Sequence, residues 1–330
     1  MSVAVAAPLF VAALAVTLVA AATFARRLDR LGARFGLPEV LIGLLTALAA
    51  DGPEVSSALA ALIKGSHEAS IGVIVGSNTF NLAAMLGASV MVVGCVQVPR
   101  RTLVLEGTVG LAATAIVAAL LLGWLPVAVA VALIAVVLVP YLVLVIGGHE
   151  AASKLGLRRL ATLVVDRDIA AGAHATGNDV ADFATHRQLE LMVLDVVLIV
   201  AGSFGMVQAA LTLGNHWGVR SALVGALILG PLTSLPNALT GIRLGRSGRG
   251  SALVTETLNS NTINLVAGVA LPSVVVTLTA RTSADQLDLA LLAVAMVATV
   301  GLLAARGGMK RPGAAAIVAL YAAFIVATLT

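Results

Sequence analysis

Long apolar segments constrain the fold of this chain more than any other feature of its sequence. A helix that crosses the hydrocarbon layer of a bilayer needs about 20 mostly apolar residues, and its backbone polar groups must bond within the segment. Ten segments meet this requirement, at roughly residues 3–24, 37–62, 69–97, 102–122, 125–146, 189–212, 219–242, 251–279, 286–305 and 313–330. The sequence therefore predicts an all-α membrane protein with about ten transmembrane helices.

The composition indicates that most of the chain faces lipid rather than water. Hydrophobic residues make up 60% of the 330 residues and charged residues only 11%, whereas a soluble domain is about 25% charged. A soluble enzyme and a disordered chain are thereby excluded. The single cysteine, Cys95, excludes a disulfide scaffold and a cysteine-built zinc site. No basic residue precedes Arg26, so the first segment is predicted to be a true span rather than a secretion signal.

The basic residues predict the orientation of the chain in the membrane. Seventeen of the twenty Lys and Arg residues fall in the loops after the first, third, fifth, seventh and ninth segments. Only Lys64, Arg220 and Arg281 fall on the other side. Because basic loops stay in the cytoplasm, both termini are predicted to lie outside. The net charge of +4 then reflects topology, so no nucleic-acid partner is expected. The expected location is a bacterial inner membrane or plasma membrane.

The two halves of the sequence contain an internal repeat. A shift of 183 residues aligns six identical pairs without a gap: Pro53 and Pro236, Ser77 and Ser260, Asn78 and Asn261, Thr79 and Thr262, Asn81 and Asn264, and Leu82 and Leu265. Each half holds five predicted helices, an odd number, so the second copy enters the membrane from the opposite side. Inverted repeats with helices broken by Gly or Pro are typical of secondary transporters, which bind substrate where the repeats meet.

This repeat predicts the domain organisation. Residues 1–147 form the first five-helix repeat, residues 148–188 a cytoplasmic linker, and residues 189–330 the second five-helix repeat. The repeated core lies at about residues 44–93 in the first half and about residues 227–276 in the second. A membrane protein that arose by gene duplication without transport activity is the alternative.

Two acidic residues lie beside the proline of the first copy. Asp51 and Glu54 are three residues apart, on one face of a helix. A charged side chain at the bilayer centre costs about 2.5–3.5 kcal/mol on insertion scales, so these acids are expected to face a cation or a watery cavity. Pro53 has no N–H, which leaves the carbonyl of Ala49 available to a ligand. The alternative is a kinked helix whose acid pair is satisfied within the protein.

The second copy offers oxygen atoms with little charge, and Pro236 frees the carbonyl of Leu232 in the same way. The predicted cation ligands are Asp51, Glu54, Ser77, Asn81, Thr233, Ser234, Asn237, Glu256, Ser260 and Asn264. Hard oxygen ligands favour Ca²⁺, Na⁺ or Mg²⁺ over zinc or copper. Ca²⁺ is the better prediction because Mg²⁺ dehydrates reluctantly, and Na⁺ is the expected counter-ion. For the Ser and Asn residues, holding helices together is the alternative role.

These motifs resemble a known family. Gly52-Pro53-Glu54 followed by Gly76-Ser77-Asn78-Thr79-Phe80-Asn81, and Thr233-Ser234-Leu235-Pro236 followed by Asn259-Ser260-Asn261-Thr262-Ile263-Asn264, are similar to the two α-repeats of the sodium/calcium exchangers of the cation/calcium exchanger superfamily. The resemblance implies an antiporter with a central cation site. The positions that match are Glu54, Ser77 and Asn81 in the first copy and Thr233, Ser234, Ser260 and Asn264 in the second.

Three positions depart from the family pattern. Asp51 stands where the family usually has Ser, Asn237 stands where an acid is expected, and Glu256 replaces an Asn. The second copy has thus lost its acid while the first has gained one. One hypothesis is that Asp51 and Glu256 restore the missing charge by another geometry. The central loop is also too short for the calcium-sensing domains that regulated family members carry.

The sequence thus predicts an antiporter that exchanges Ca²⁺ for Na⁺ by alternating access. Inorganic cations and the lipid bilayer are its expected partners, no cofactor is expected beyond the transported ions, and protein partners are unknown. Protons are an alternative to Na⁺, because two close acids can share one. A passive cation channel and a non-transporting membrane scaffold are alternatives of other classes. An enzyme is not expected, and an intramembrane hydrolase is disfavoured because the sequence contains neither Gly-x-Ser-x-Gly nor His-Glu-x-x-His.

Overall fold

The computed structural model describes residues 1–34, 47–154 and 181–329, and its long elements are helices. The helices are α1 Val3–Arg34, α2 Gly52–Ile63, α3 His67–Val93, α4 Arg100–Leu121, α5 Val127–Lys154, α6 Ala181–His216, α7 Ser221–Thr233, α8 Leu235–Arg246, α9 Gly250–Leu265, α10 Ser283–Arg306 and α11 Arg311–Leu329. Residues 47–50 are also helical. Wider π-helical turns occur at Asn81–Ala88, Val224–Leu229 and Val266–Ala270. The prediction of an all-α protein is confirmed.

Seven helices in the described part of the chain are long and apolar enough to cross a membrane. They are α1, α3, α4, α5, α6, α10 and α11. The bent pair α7 and α8 makes an eighth span if it is counted as one. The chain is therefore an integral membrane protein. The predicted second span lies partly outside the described residues, and α9 has only 16 residues. The count of ten and the inverted orientation of the repeats stay predictions.

The predicted third and eighth helices are too long. Gly94, with φ of 90°, ends α3, because this backbone conformation is readily accessible only to glycine. The following residues form strand β1 (Cys95–Gln97), which pairs antiparallel with β2 (Gly308–Lys310) rather than continuing the helix. The eighth segment loses helical structure after a single 3₁₀ turn at Pro272–Val274, since proline has no N–H to continue the ladder.

The predicted linker at residues 148–188 is shorter than expected at both ends. Helix α5 continues to Lys154, and α6 already begins at Ala181. The centre of the linker lies outside the described residues.

Two helices break at positions related by the repeat. Asp51 (φ −82°, ψ −4°) separates residues 47–50 from α2, and Ser234 (φ −84°, ψ 0°) separates α7 from α8 at a bend of 44°. Pro53 and Pro236 then lie in the first turn of α2 and α8, where the missing N–H removes no helical hydrogen bond. Each proline therefore starts a new helix, and the residues around each break can point toward the protein interior.

Glycines bring α3 and α7 into close backbone contact. A Cβ added to Gly76 would lie 2.6 Å from Ala226 Cα, and one added to Gly230 would lie 2.7 Å from Ser77 N. Both obstacles are main-chain atoms, which cannot move aside as a side chain can. This approach seats Ser77 beside the end of α7, immediately before the break at Ser234.

We expect Gly76→Ala to destabilise the protein, because the added methyl group would overpack a helix contact at a cost of about 1–3 kcal/mol. The measurement is the thermal unfolding midpoint in detergent. Gly301→Ala in α10 is the matched control, since a Cβ at Gly301 meets no atom within 4 Å. The control should unfold at or slightly above the temperature of the parent. Equal midpoints for the two variants would contradict the close-packing argument.

Candidate cation site

The two predicted acids lie side by side in the interior. Asp51 occupies the break before α2 and exposes 1% of its surface, and Glu54 lies in the first turn of α2 and exposes none. The ion pair between Arg27 and Asp195 does not involve either acid, and within the described ranges no basic side chain is paired with Asp51 or Glu54. Two neighbouring carboxylates thus depend on neutral groups, or on a cation, for compensation.

Neutral donors from the second half bind one oxygen of each acid. Asn237 Nδ2 donates to Asp51 Oδ1 at 2.9 Å and to Glu54 Oε1 at 3.0 Å. The Ser234 hydroxyl donates to Glu54 Oε1 at 2.9 Å, and the Ser260 hydroxyl donates to Asp51 Oδ1 at 2.5 Å. Residues on α8, α9 and the α7–α8 break therefore position the acids of the first half.

The second oxygen of each acid has no hydrogen-bond partner. Asp51 Oδ2 and Glu54 Oε2 are both buried, and neither accepts a hydrogen bond. A buried carboxylate oxygen without a partner has lost its hydration and gained nothing in return. Two such atoms one helical turn apart offer negatively charged hard oxygen, which is the kind of ligand that Ca²⁺ and similar cations prefer.

Two asparagines related by the repeat add neutral oxygen to this site. Asn81 Nδ2 donates to Ser260 Oγ at 3.0 Å, while Asn81 Oδ1 has no partner. Asn264 lies one turn after Ser260 on α9, and both of its amide atoms are buried without a partner. Such unsatisfied amides are uncommon in native proteins, and a bound ion or water molecule is one way to satisfy them. They can supply oxygen to a cation without adding charge.

The other predicted ligands lie on the same helices but are not bonded to the acids. The hydroxyls of Ser77 and Thr233 donate within their own helices, to Ile74 O at 3.1 Å and Leu229 O at 2.8 Å. Glu256 is half-buried one turn before Ser260. No group of three His, Cys, Asp or Glu residues that could hold a metal ion occurs in the described ranges, so Glu256 does not complete a triad of acids with the pair.

The hydrogen-bonded cluster thus contains six of the ten predicted ligands: Asp51, Glu54, Asn81, Ser234, Asn237 and Ser260. We call these six residues the acid cluster. Glu256 is not among them. The acid next to Glu54 is Asp51, which lies at the break before α2.

Sequence reasoning missed two polar contacts between helices. Ser56 Oγ lies 2.6 Å from Ser203 Oγ, which links α2 to α6. The Tyr141 hydroxyl lies 2.9 Å from Glu106 Oε2 and 2.9 Å from Asn259 Oδ1, so it joins α5 to α4 and α9. Single Ser and Tyr residues in apolar helices carry no spacing signal, and only their neighbours in space reveal these contacts.

Comparison with known proteins finds a matching family model and solved structures of similar fold. A family model described as sodium/calcium exchanger protein matches residues 5–147 and 189–330. The structure of the sodium-calcium exchanger NCX_Mj soaked with 10 mM Na⁺ and zero Ca²⁺ is similar in fold, with a TM-score of 0.61 and 17% identity over 98% of this chain and 99% of that chain. The structure of native YfkE is also similar, with a TM-score of 0.65 and 14% identity over 97% of this chain and 92% of that chain. No curated protein sequence matches the chain.

We expect Ser260→Ala to lower the affinity for Ca²⁺ by about 10- to 100-fold, the range seen when a group that orients a metal ligand is removed. The hydroxyl donates to Asp51 and accepts from Asn81, so its loss removes one hydrogen bond from each side chain. Isothermal titration of the detergent-solubilised protein measures the change. Ser251→Ala, in the first turn of the same helix, is the control and should bind as the parent does. If both variants bind alike, Ser260 does not position the site.

Proposed function

The chain belongs to the sodium/calcium exchanger family, and we propose that it is an antiporter that exchanges Ca²⁺ for Na⁺ at the acid cluster. Proteins of this family are exchangers, so the chain is a transporter and not an enzyme. One observation supports the proposed site above all others. Asp51 and Glu54 are buried together, and each keeps one carboxylate oxygen without a hydrogen-bond partner.

The chemistry of the acid cluster supports Ca²⁺ as the divalent cargo. Its potential ligands are carboxylate, amide and hydroxyl oxygens, with no sulfur or imidazole among its six residues. Ca²⁺ accepts about six to eight such oxygens in flexible geometry, whereas Mg²⁺ demands a near-octahedral site and gives up water reluctantly. A cluster whose ligands come from helix breaks, with their locally adjustable backbone, favours the more tolerant ion.

The position of the acid cluster supports alternating access. Its acids come from the break in the first half of the chain, and its donors come from the second half. A ligand set divided between two halves changes its exposure when the halves move relative to each other, as in transporters built from repeats. We therefore propose two inverted five-helix halves, residues 1–147 and 189–330, in a bacterial inner or plasma membrane, with both termini outside.

Protons are the second candidate for the counter-ion. Asp51 Oδ1 and Glu54 Oε1 both accept a hydrogen bond from Asn237 Nδ2, so the two carboxylates lie close together. Adjacent buried acids of this kind can hold protons where a sodium-coupled exchanger holds Na⁺.

Reconstituted protein in liposomes tests the function directly. We expect external ⁴⁵Ca²⁺ to enter when the lumen contains Na⁺ and the outside does not, because outward Na⁺ movement drives Ca²⁺ uptake. The same uptake is measured with outward gradients of K⁺ and H⁺. Uptake that follows the pH gradient and ignores Na⁺ would replace Na⁺ by protons. Flux without a counter-ion would indicate a channel, and no flux in any gradient would indicate a scaffold.

We expect Glu54→Gln to reduce gradient-driven Ca²⁺ uptake to the level of empty liposomes. The amide nearly preserves the shape of the side chain but removes one of the two negative charges that compensate a divalent cation. Glu106→Gln is the matched control, since Glu106 is equally buried in the membrane region but contacts Tyr141 rather than the acid cluster. The control should retain most of the parent rate. Normal uptake by Glu54→Gln would overturn the site assignment.

A further inference from the structure

The acid cluster contains two negative charges and no third. Position 237, which corresponds to Glu54 in the repeat, is occupied by a neutral asparagine, and the other members that surround the pair are also neutral. No third acid joins the pair to form a metal-binding group within the described residues. The intramembrane acid Asp195 is compensated separately by Arg27. Among the described residues, the fixed charge of the acid cluster is therefore two.

Because the two acids are buried, their number limits the positive charge that the site can hold. Asp51 and Glu54 are 1% and 0% exposed, so water screens little of their charge. In such surroundings an uncompensated charge interacts strongly with its neighbours and is expensive to keep. A divalent cation, or two monovalent cations, balances the pair. A third monovalent cation would leave one excess positive charge inside the membrane.

Asn237 sets this limit by its position. Its amide donates hydrogen bonds to both acids, at 2.9 and 3.0 Å, and so occupies the place of a third acid without its charge. The unpartnered amide oxygen atoms of Asn81 and Asn264 can solvate cations, but they also leave the charge unchanged. The site thus offers cations more oxygen ligands than the two acids alone provide. The added oxygens are neutral, so they balance no further positive charge.

We propose that Asn237 limits the load of the site to two positive charges, so that one Ca²⁺ exchanges for two monovalent cations and the cycle moves no net charge across the membrane. The inference rests on the proposed exchange function. It holds whether the monovalent cation is Na⁺ or H⁺, because either ion carries one charge.

The test uses the full chain in liposomes and the gradient of whichever monovalent cation drives Ca²⁺ uptake. At zero membrane potential, a tenfold gradient should accumulate Ca²⁺ about 100-fold for two-for-one exchange and about 1,000-fold for three-for-one exchange. A second measurement imposes potentials of either sign with valinomycin and K⁺. A cycle that moves one net charge changes the final Ca²⁺ ratio about fifty-fold for each 100 mV, whereas a neutral cycle leaves it unchanged.

Three variants test the role assigned to Asn237. Asn237→Glu adds a third charge and should make the final Ca²⁺ ratio depend on membrane potential. Asn237→Gln has the length of the glutamate without its charge, so whatever exchange it retains should ignore membrane potential. The double variant Asp51→Ser with Asn237→Glu moves one acid from the first half to the second but keeps the total at two, so whatever exchange it retains should also be neutral.

The outcomes separate this inference from the proposed function. A 100-fold ratio in the parent that ignores membrane potential supports the inference. Potential-dependent exchange by the parent would overturn the charge limit and leave Ca²⁺ antiport standing. If Asn237→Glu transports and its ratio ignores potential, Asn237 does not set the limit. Absence of gradient-driven uptake by the parent under every cation gradient would overturn the function and the inference together.

Discussion

The structure depends on compensating two carboxylates buried together in a membrane protein. Asp51 and Glu54 are buried, and no basic side chain of the described ranges is paired with them. Among the described residues, the side chains that donate to them are the amide of Asn237 and the hydroxyls of Ser234 and Ser260. These donors bind one oxygen of each carboxylate and leave the other oxygen available to a ligand. The same contacts tie the two halves of the chain together, so cation occupancy and helix packing are physically linked.

The backbone makes this arrangement accessible. Continuous helices would keep their peptide groups bonded internally and present only side chains. The breaks at Asp51 and Ser234 turn two residues related by the repeat toward each other's half, and each is followed by a proline that starts a new helix. Close approach of α3 and α7 at Gly76 and Gly230 brings the surrounding helices near enough for side chains as short as serine to reach the acids. These glycines therefore allow the site to form without being ligands themselves.

The distribution of charge between the two halves of the acid cluster is asymmetric. Both acids come from one helix break, and the equivalent positions in the second half, Ser234 and Asn237, are hydrogen-bond donors to them. The repeat is thus symmetric in backbone and asymmetric in chemistry. The first half supplies the two acids, and the second half supplies the hydrogen-bond donors that position them. A symmetric site would take an acid from each half.

The sequence alone determined the membrane class, most helix positions, the repeat and the identity of the acids, because apolar length, proline and buried charge leave local patterns that need no tertiary information. It could not determine that Asp51 pairs with Glu54 rather than with Glu256, that Asn237 bridges both acids, or that α9 gives way to a proline-led 3₁₀ turn and irregular chain before residue 279. Those features depend on which helices approach one another and at what depth. Hydrogen bonds between residues about 180 positions apart are decided only when the two halves pack.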